Sequence, residues 1–361
     1  MSKTGTFTRP KAVRAMRPVI AVTMGDAAGV GPELCLRLLA QGQWPERSLP
    51  LVVGDARILE RVGKLIGVPL KAKRLYSVPE LLHEPAVLDV SDALSGMDIK
   101  PGLSQAPCGR AAARYIEEAV RFCQEGRCAA MVTAPISKKA LALAGVDFPG
   151  HTEMIAHQVG SKRFALLLYS EKIAVAFATL HQALSSVPEA LSVERVVEVG
   201  TLLNRYLILL REKPPRLAVL GLNPHAGEEG LFGEEDQRLV APAVSRLRAL
   251  GVEAEGPLPP DVAFTPQALA RYDGHVALYH DQGGIPFKMI AFDTGVNVTM
   301  GLGIIRTSPD HGTAFDIAWK GEARPDSFCS AYALAARLSV ARERTRQHPS
   351  RRLTPESATG S

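Results

Sequence analysis

No apolar stretch of the chain approaches the roughly 20 residues that a membrane-crossing helix requires. The basic opening, MSKTGTFTRPKAVRAMR, is not followed by the apolar segment of a secretory signal, so a cytoplasmic location is expected. Five cysteines (Cys35, Cys108, Cys123, Cys128, Cys329) include no CxxC pair. Cys123 and Cys128 lie close together but have no companions to complete a metal site, which leaves ordinary thiols in a reducing compartment. Neither GxGxxG nor a glycine-rich loop ending in Gly-Lys-Ser/Thr occurs, so neither common nucleotide-phosphate fingerprint is present. Internal repeats are absent too.

What is present is ordinary for a globular chain: 46% hydrophobic and 22% charged residues over 361 positions, enough for two domains or one large α/β domain. The net charge of +5 invites a nucleic-acid partner, but its distribution argues against one. Residues 1–17 carry five basic side chains and no acid, and residues 341–361 carry five arginines against two glutamates. The two ends therefore hold +8 and leave −3 on the body between them. The basicity belongs to two tails read as disordered, not to a folded groove. Neither nucleic acid nor membrane is expected as a partner.

Apolar runs alternate with amphipathic segments. RPVIAVTMG reads as a strand and PELCLRLLA as the helix after it; LPLVVGDARILERVGKLIG repeats the pair. In RAAARYIEEAVRFCQEG, Ala112, Tyr115, Ile116, Ala119, Val120 and Cys123 recur at helical spacing, and Gly126 closes the segment. RFALLLYSEKIAVAFATLH predicts two strands about a Ser-Glu-Lys turn. SVERVVEVGTLLNRYLILLRE predicts a long helix capped by Ser192. Strands alternating with helices indicate an α/β fold with a mostly parallel sheet.

Ligands of open α/β sheets bind beyond the carboxyl ends of the strands. Three apolar runs end in a histidine: IAVAFATL in His181, LAVLGLNP in His225, and VALY in His280, the last opening a His-Asp-Gln-Gly-Gly turn. Imidazoles on three loops, 44 and 55 residues apart, suit a divalent catalytic metal rather than a compact zinc motif. Singly, each suits a hydrogen-bonded loop residue equally well. MGDAAGVGPE, a glycine turn between strand and helix, fits either a close-packed turn or a cradle for an anion. FPGHTE places His151, Thr152 and Glu153 together, either for an anionic substrate or as a helix start capped by Thr152. The segment 287–321 holds Lys288, Asn297 and Arg306, the groups a phosphorylated hydroxy acid needs.

The ordered set MGDAAGVGPE, VTAPISKKAL, FPGHTE, LGLNPHAGEEGLFGEE, YHDQGGIPFK, GVNVTMGLG and IRTSPDHGTAFDIA resembles the 4-hydroxythreonine-4-phosphate dehydrogenases of vitamin B6 biosynthesis, from about residue 18 to about 340. The resemblance implies an isocitrate/isopropylmalate-dehydrogenase-like fold with two domains, three α/β/α layers and a mostly parallel sheet. Residues 18–145 with 306–340 would form the cofactor side, and 146–305 the substrate, metal and dimerisation side; 1–17 and 341–361 would be tails. It further implies a homodimer with shared active sites and one divalent ion (zinc, magnesium or cobalt) held by His181, His225 and His280. Substrate would contact His151, Thr152, Lys288, Asn297 and Arg306, with Lys288 moving a proton or steadying an oxyanion. NAD or NADP would lie on the loop containing His311, Gly312, Thr313, Ala314 and Asp316. The implied reaction oxidises 4-phosphohydroxy-L-threonine to 2-amino-3-oxo-4-phosphooxybutanoate, which decarboxylates to 3-amino-2-oxopropyl phosphate. A sibling dehydrogenase acting on a four-carbon acid-sugar phosphate or an aromatic dihydrodiol carboxylate is the alternative; a phosphate acyltransferase-like enzyme is a remoter one. Three positions depart from the family's usual residues: Ala27 and Gly303 stand where proline is common, and Trp319 where glycine is frequent.

Overall fold

A computed structural model describes residues 17–347, apart from 91–93, 95 and 212. The tail reading of residues 1–16 and 348–361 falls outside the described residues. The first half of the chain forms β1 (Val19–Thr23), α1 (Gly31–Ala40), β2 (Leu49–Gly54), α2 (Ala56–Ile66), β3 (Lys73–Leu75), β4 (Ala86–Asp89), α3 (Ala106–Gln124), β5 (Ala130–Thr133), α4 (Lys138–Leu143) and α5 (His151–Val159). Then follow β6 (Ala165–Tyr169), β7 (Ala174–Phe177), α6 (Val187–Ala190), α7 (Val193–Arg211), β8 (Arg216–Leu220), α8 (Ala241–Ala249) and β9 (Glu253–Leu258). The chain continues through α9 (Pro266–Arg271), β10 (Gly274–Ala277), α10 (His280–Ala291), β11 (Val296–Met300), β12 (Arg306–Pro309) and α11 (Asp326–Gln347).

All twelve strands join one sheet in the order β3-β4-β2-β1-β5-β12-β11-β6-β7-β10-β8-β9. Two parallel blocks occupy its ends, β3 to β12 and β7 to β9. Between them β11 and β6 run through three antiparallel pairings. The mostly parallel sheet expected from the alternating pattern is therefore formed, and its antiparallel centre is where the two halves of the molecule meet.

Alternation along a strand decides which helix covers which face. Ala174 and Ala176 of β7 join the large apolar core, while Val175 and Phe177 join a smaller one. α7 supplies Val196, Val199, Leu203 and Leu207 to the large core; α10 supplies Phe287 and Ala291 to the smaller. The second block thus lies between α7 and α10, a three-layer arrangement. In the first block α3 and α11 both pack on β1 and β5. The N-cap expectation for α7 holds, with the Arg195 N–H donating to Ser192 Oγ at 3.1 Å.

Three expectations need correction. α11 continues to Gln347, so residues 341–347, read as tail, are helix. The His-Asp-Gln-Gly-Gly stretch is not a turn but the first turns of α10, which begins at His280. Thr152 does not cap α5; Gly150 holds that position, and His151 and Thr152 are the helix's first two residues. Among the described residues no helix is long and apolar enough to cross a membrane, and all five cysteines are free thiols.

Candidate active site

The strands that precede the three histidines, β7, β8 and β10, are neighbours in the sheet, with β10 between the other two and all three parallel. His181, His225 and His280 consequently follow the carboxyl ends of three adjacent strands, though the first and last lie 99 residues apart. Polar side chains stitch these ends together. Thr179 donates from its hydroxyl to the Leu278 carbonyl at 2.7 Å, tying the β7 end to the β10 end. Gln282, buried in the first turn of α10, accepts from Leu278 N–H and donates to the Gly221 carbonyl, both at 2.7 Å, tying β10 to β8. Asp236, fully buried, accepts from Leu222 N–H at 2.7 Å and Asn223 N–H at 3.0 Å, which anchors the approach to His225.

His181 and His280 come together, their ring centroids 5.5 Å apart. Asp281 bonds Nδ1 of His280 at 2.6 Å, which leaves Nε2 as the free nitrogen. Desolvation, and then the neighbouring His280 and Lys138, lower the His181 pKa, with Glu153 opposing them; both effects favour the neutral imidazole that a metal ion requires. α10 lies close to β7 because residue 283 is glycine: a Cβ there would meet Val175 Cγ1 at 2.5 Å. His225 stands apart from this pair. It opens a run of five residues, His225 to Glu229, with φ between 40° and 81°, and its ring faces Phe232 at 6.1 Å. Among the described residues no three His, Cys, Asp or Glu side chains are close enough to hold a metal ion. The structure therefore draws together two of the three imidazoles, His181 and His280, while His225, in the turn after β8, is not part of the same cluster.

A second cluster surrounds Arg306 at the start of β12. Its guanidinium is buried, donating to Thr133 Oγ1 at 2.7 and 3.2 Å and to Thr299 Oγ1 at 3.0 Å. No carboxylate pairs with it at ion-pair distance among the described residues, and desolvation pulls its pKa down to about 10. Beside it His151 is held well below the usual histidine range, by desolvation first and then by the Arg306 charge. His151 Nε2 is buried with no hydrogen-bond partner. A desolvated cation is a receptor for an anion's oxygens, and the unpaired Nε2 of the neutral imidazole beside it is an acceptor for a hydroxyl or other donor of the ligand. Glu153 acts electrostatically on both Arg306 and His181, so the anion receptor and the histidine pair are neighbours.

The third cluster centres on Asp310, which the motifs had not singled out. Its carboxylate accepts from Asn297 Nδ2 at 3.1 Å and lies 3.9 Å from Lys288 Nζ. Asn297 Oδ1 is buried and unpartnered. Lys288 lies two turns beyond His280 on α10, about 12 Å along the axis. The loop after β12 exposes His311, Gly312 and Asp316, and a Cβ on Gly312 would meet nothing within 4 Å. That loop is therefore open to solvent on this side and carries polar groups there. Thr313 instead faces inward, its carbonyl accepting from Val30 N–H at 3.0 Å. Ala314 is left-handed, at φ 42°. The glycine turn after β1 is no open cradle: residues 24–31 are all buried, and a Cβ on Gly31 would lie 2.0 Å from the Met24 carbonyl oxygen.

Ionisable groups drawn together at the ends of parallel strands, around a buried cation that no described carboxylate pairs at ion-pair distance, define an α/β enzyme that takes an anionic substrate. The profile of the family described as Pyridoxal phosphate biosynthetic protein PdxA matches residues 46–335. A 4-hydroxythreonine-4-phosphate dehydrogenase of Geobacter metallireducens is 42% identical over 325 residues, covering 90% of this chain and 96% of the relative. A D-threonate 4-phosphate dehydrogenase of Pectobacterium atrosepticum is 41% identical over 327 residues, covering 90% and 100%. The crystal structure of a 4-hydroxythreonine-4-phosphate dehydrogenase from Klebsiella pneumoniae superposes with a TM-score of 0.81 at 44% identity, covering 90% of this chain and 99% of that one. The chain belongs to the PdxA family, and its fold is the isocitrate/isopropylmalate-dehydrogenase-like one expected.

Proposed function

We propose that the protein is an NAD(P)-dependent, divalent-metal-assisted dehydrogenase that oxidises 4-phosphohydroxy-L-threonine at its C3 hydroxyl. The product, 2-amino-3-oxo-4-phosphooxybutanoate, then loses carbon dioxide to leave 3-amino-2-oxopropyl phosphate. The observation that carries this reading is Arg306, a buried guanidinium with no carboxylate at ion-pair distance among the described residues, next to the orphaned Nε2 of His151 and the paired rings of His181 and His280. A relative named for this activity is 42% identical over 90% of the chain, and a crystal structure so named superposes at a TM-score of 0.81.

His181, His280 and His225 would hold the metal. When bound, the ion lowers the pKa of the substrate hydroxyl and the nicotinamide accepts two electrons. Arg306 and His151, with Thr152 beside them, bind and orient the anionic end of the substrate. Lys288, kept near Asp310, gives a proton to the oxygen on which charge develops during decarboxylation. Asn297, fixed by the same carboxylate, keeps an amide oxygen for a donor on the substrate. His311, Gly312 and Asp316 would line the dinucleotide site.

A second reading, oxidation of D-threonate 4-phosphate, is supported by the Pectobacterium relative at nearly equal identity. The two substrates share the phosphate, the carboxylate and the C3 hydroxyl, and differ in carrying an ammonium or a hydroxyl at C2. Purified enzyme should be assayed for NADH and NADPH formation from each, with and without EDTA. Higher kcat/KM on the amino substrate, abolished by EDTA and restored by a divalent ion, is expected. Preference for D-threonate 4-phosphate would move the assignment to the sibling, and activity indifferent to EDTA would remove the metal.

We also infer a cytoplasmic homodimer with shared active sites. α10, the helix that begins with His280, and its C-cap residue carry an apolar stripe of Ile285, Met289 and Phe292, exposed by 58%, 83% and 73%. Their spacing of four and three residues puts them on one face, an arrangement that a second copy would cover.

A further inference from the structure

Trp319 stands in a conformation that large side chains rarely adopt, with φ +63°. It is buried, and its indole Nε1–H donates to the carbonyl of Ala27 at 3.0 Å across 292 residues of sequence. The Arg61 guanidinium covers its ring at 4.9 Å from the centroid. Ala27 belongs to the buried turn after β1, and that turn grips the loop after β12 a second time, through Val30 N–H and the Thr313 carbonyl at 3.0 Å. The segment 314–318 is therefore pinned at both ends to one turn. Beyond Trp319 the same contact continues: the Glu33 carboxylate accepts from Gly321 N–H at 3.2 Å and Ala323 N–H at 3.0 Å. Two left-handed residues, Ala314 and Trp319, bracket the pinned segment, and a chain without anchors would leave both conformations.

We propose that Trp319 is a positioning residue for the dinucleotide: its indole clamps the 311–317 loop to the turn after β1, so that the loop has its binding shape before the cofactor arrives. This rests on the reading of His311, Gly312 and Asp316 as cofactor-facing. Ordering completed during folding is not charged against binding, so loss of the clamp raises the KM for the dinucleotide and leaves the chemical step alone. Room for the ligand lies on the outer side of the loop, where His311, Gly312 and Asp316 are exposed, while the clamp holds its inner side.

The chain has two tryptophans, so Trp44→Phe leaves Trp319 as a single reporter. Its emission should be quenched saturably by NAD+ or NADP+. Trp319→Phe keeps a ring for Arg61 and deletes the N–H donor; the KM for the dinucleotide should rise about five- to tenfold with kcat within about twofold. Trp319→Gly relieves the left-handed backbone but removes the whole anchor, and its KM should rise further. A merely strained residue would show the opposite, an improvement in the glycine variant. Hydrogen exchange of the amides of residues 313–318, measured without cofactor, should quicken in both variants. If these variants fail to accumulate, Arg61→Met removes the cover over the ring and should give a smaller rise in the same KM. Wild-type KM in the phenylalanine and glycine variants, or in Arg61→Met, overturns the clamp. Wild-type protein that neither changes emission nor turns over with either dinucleotide, while metal and substrate are supplied, overturns the cofactor reading itself and the clamp with it.

Discussion

Asp281 shows how a single neighbour decides the chemistry of a histidine. Its bond to Nδ1 of His280 leaves Nε2 unengaged on a ring 5.5 Å from that of His181, the pairing by which carboxylates orient metal-bound imidazoles. Asp281→Asn should weaken binding of a divalent ion about 10- to 100-fold, read by competition against a chromogenic chelator. Arg306→Lys keeps the charge but cannot span Thr133 and Thr299 together; the KM for the phosphorylated substrate should rise by one to two orders of magnitude, about 1.5–3 kcal/mol. Asp26 concerns stability. Burial is the chief cause that raises its carboxyl from 3.8 to about 6, against the opposing Ala28 and Ser137 amides, and its Oδ2 has no partner. The folded state thus binds a proton that the unfolded state releases between those values, so stability from this group is full below pH 4 and falls as pH rises to about 6. The loss reaches about 3 kcal/mol. Asp26→Asn should remove it, seen as a gain in urea stability over wild type that grows between pH 4 and pH 7. Of these residues His280 and Arg306 were legible from motif and position. Asp281, Asp310 and Gln282 were not, because their roles depend on what they touch.

α10 is the element in which local propensity and tertiary packing disagree. Two consecutive glycines after a strand read as a turn, since glycine weakens helices. The helix forms regardless because Phe287 is fully buried in the smaller core and because only a glycine at 283 lets the helix lie on β7. Gly283→Ala should cost about 1–3 kcal/mol by overpacking against Val175 and Ala277 and should push His280 away from His181. Thermal unfolding and divalent-ion affinity read the two consequences separately. The left-handed run after β8 was equally hidden: NPHAGEEG contains glycines, but the positive φ falls on His225, Ala226, Glu228 and Glu229 as well. A buried Asp236 holding the two amides upstream supplies the anchor that this conformation requires.

At the scale of the molecule, one sheet carries both halves, with β11 and β6 as the passage between two parallel blocks. The apolar stripe along α10 is a property of this scale, because none of the described residues covers it. Met289→Asp should shift the protein from dimer to monomer in light scattering and lower turnover in proportion, if the sites are shared as proposed. The sequence alone determined the α/β class, the strands and helices of the strongest apolar runs, the charge on the body and the family, because periodicity, caps and motifs are local. It also supplied the three histidines as ends of apolar runs. Only the tertiary structure decided that the seventh, eighth and tenth strands lie side by side with the tenth in the middle. Strand pairing is a matter of long-range hydrogen bonds that no local period encodes. It brings His280 to His181, and it leaves His225 in the turn after the eighth strand, its backbone left-handed.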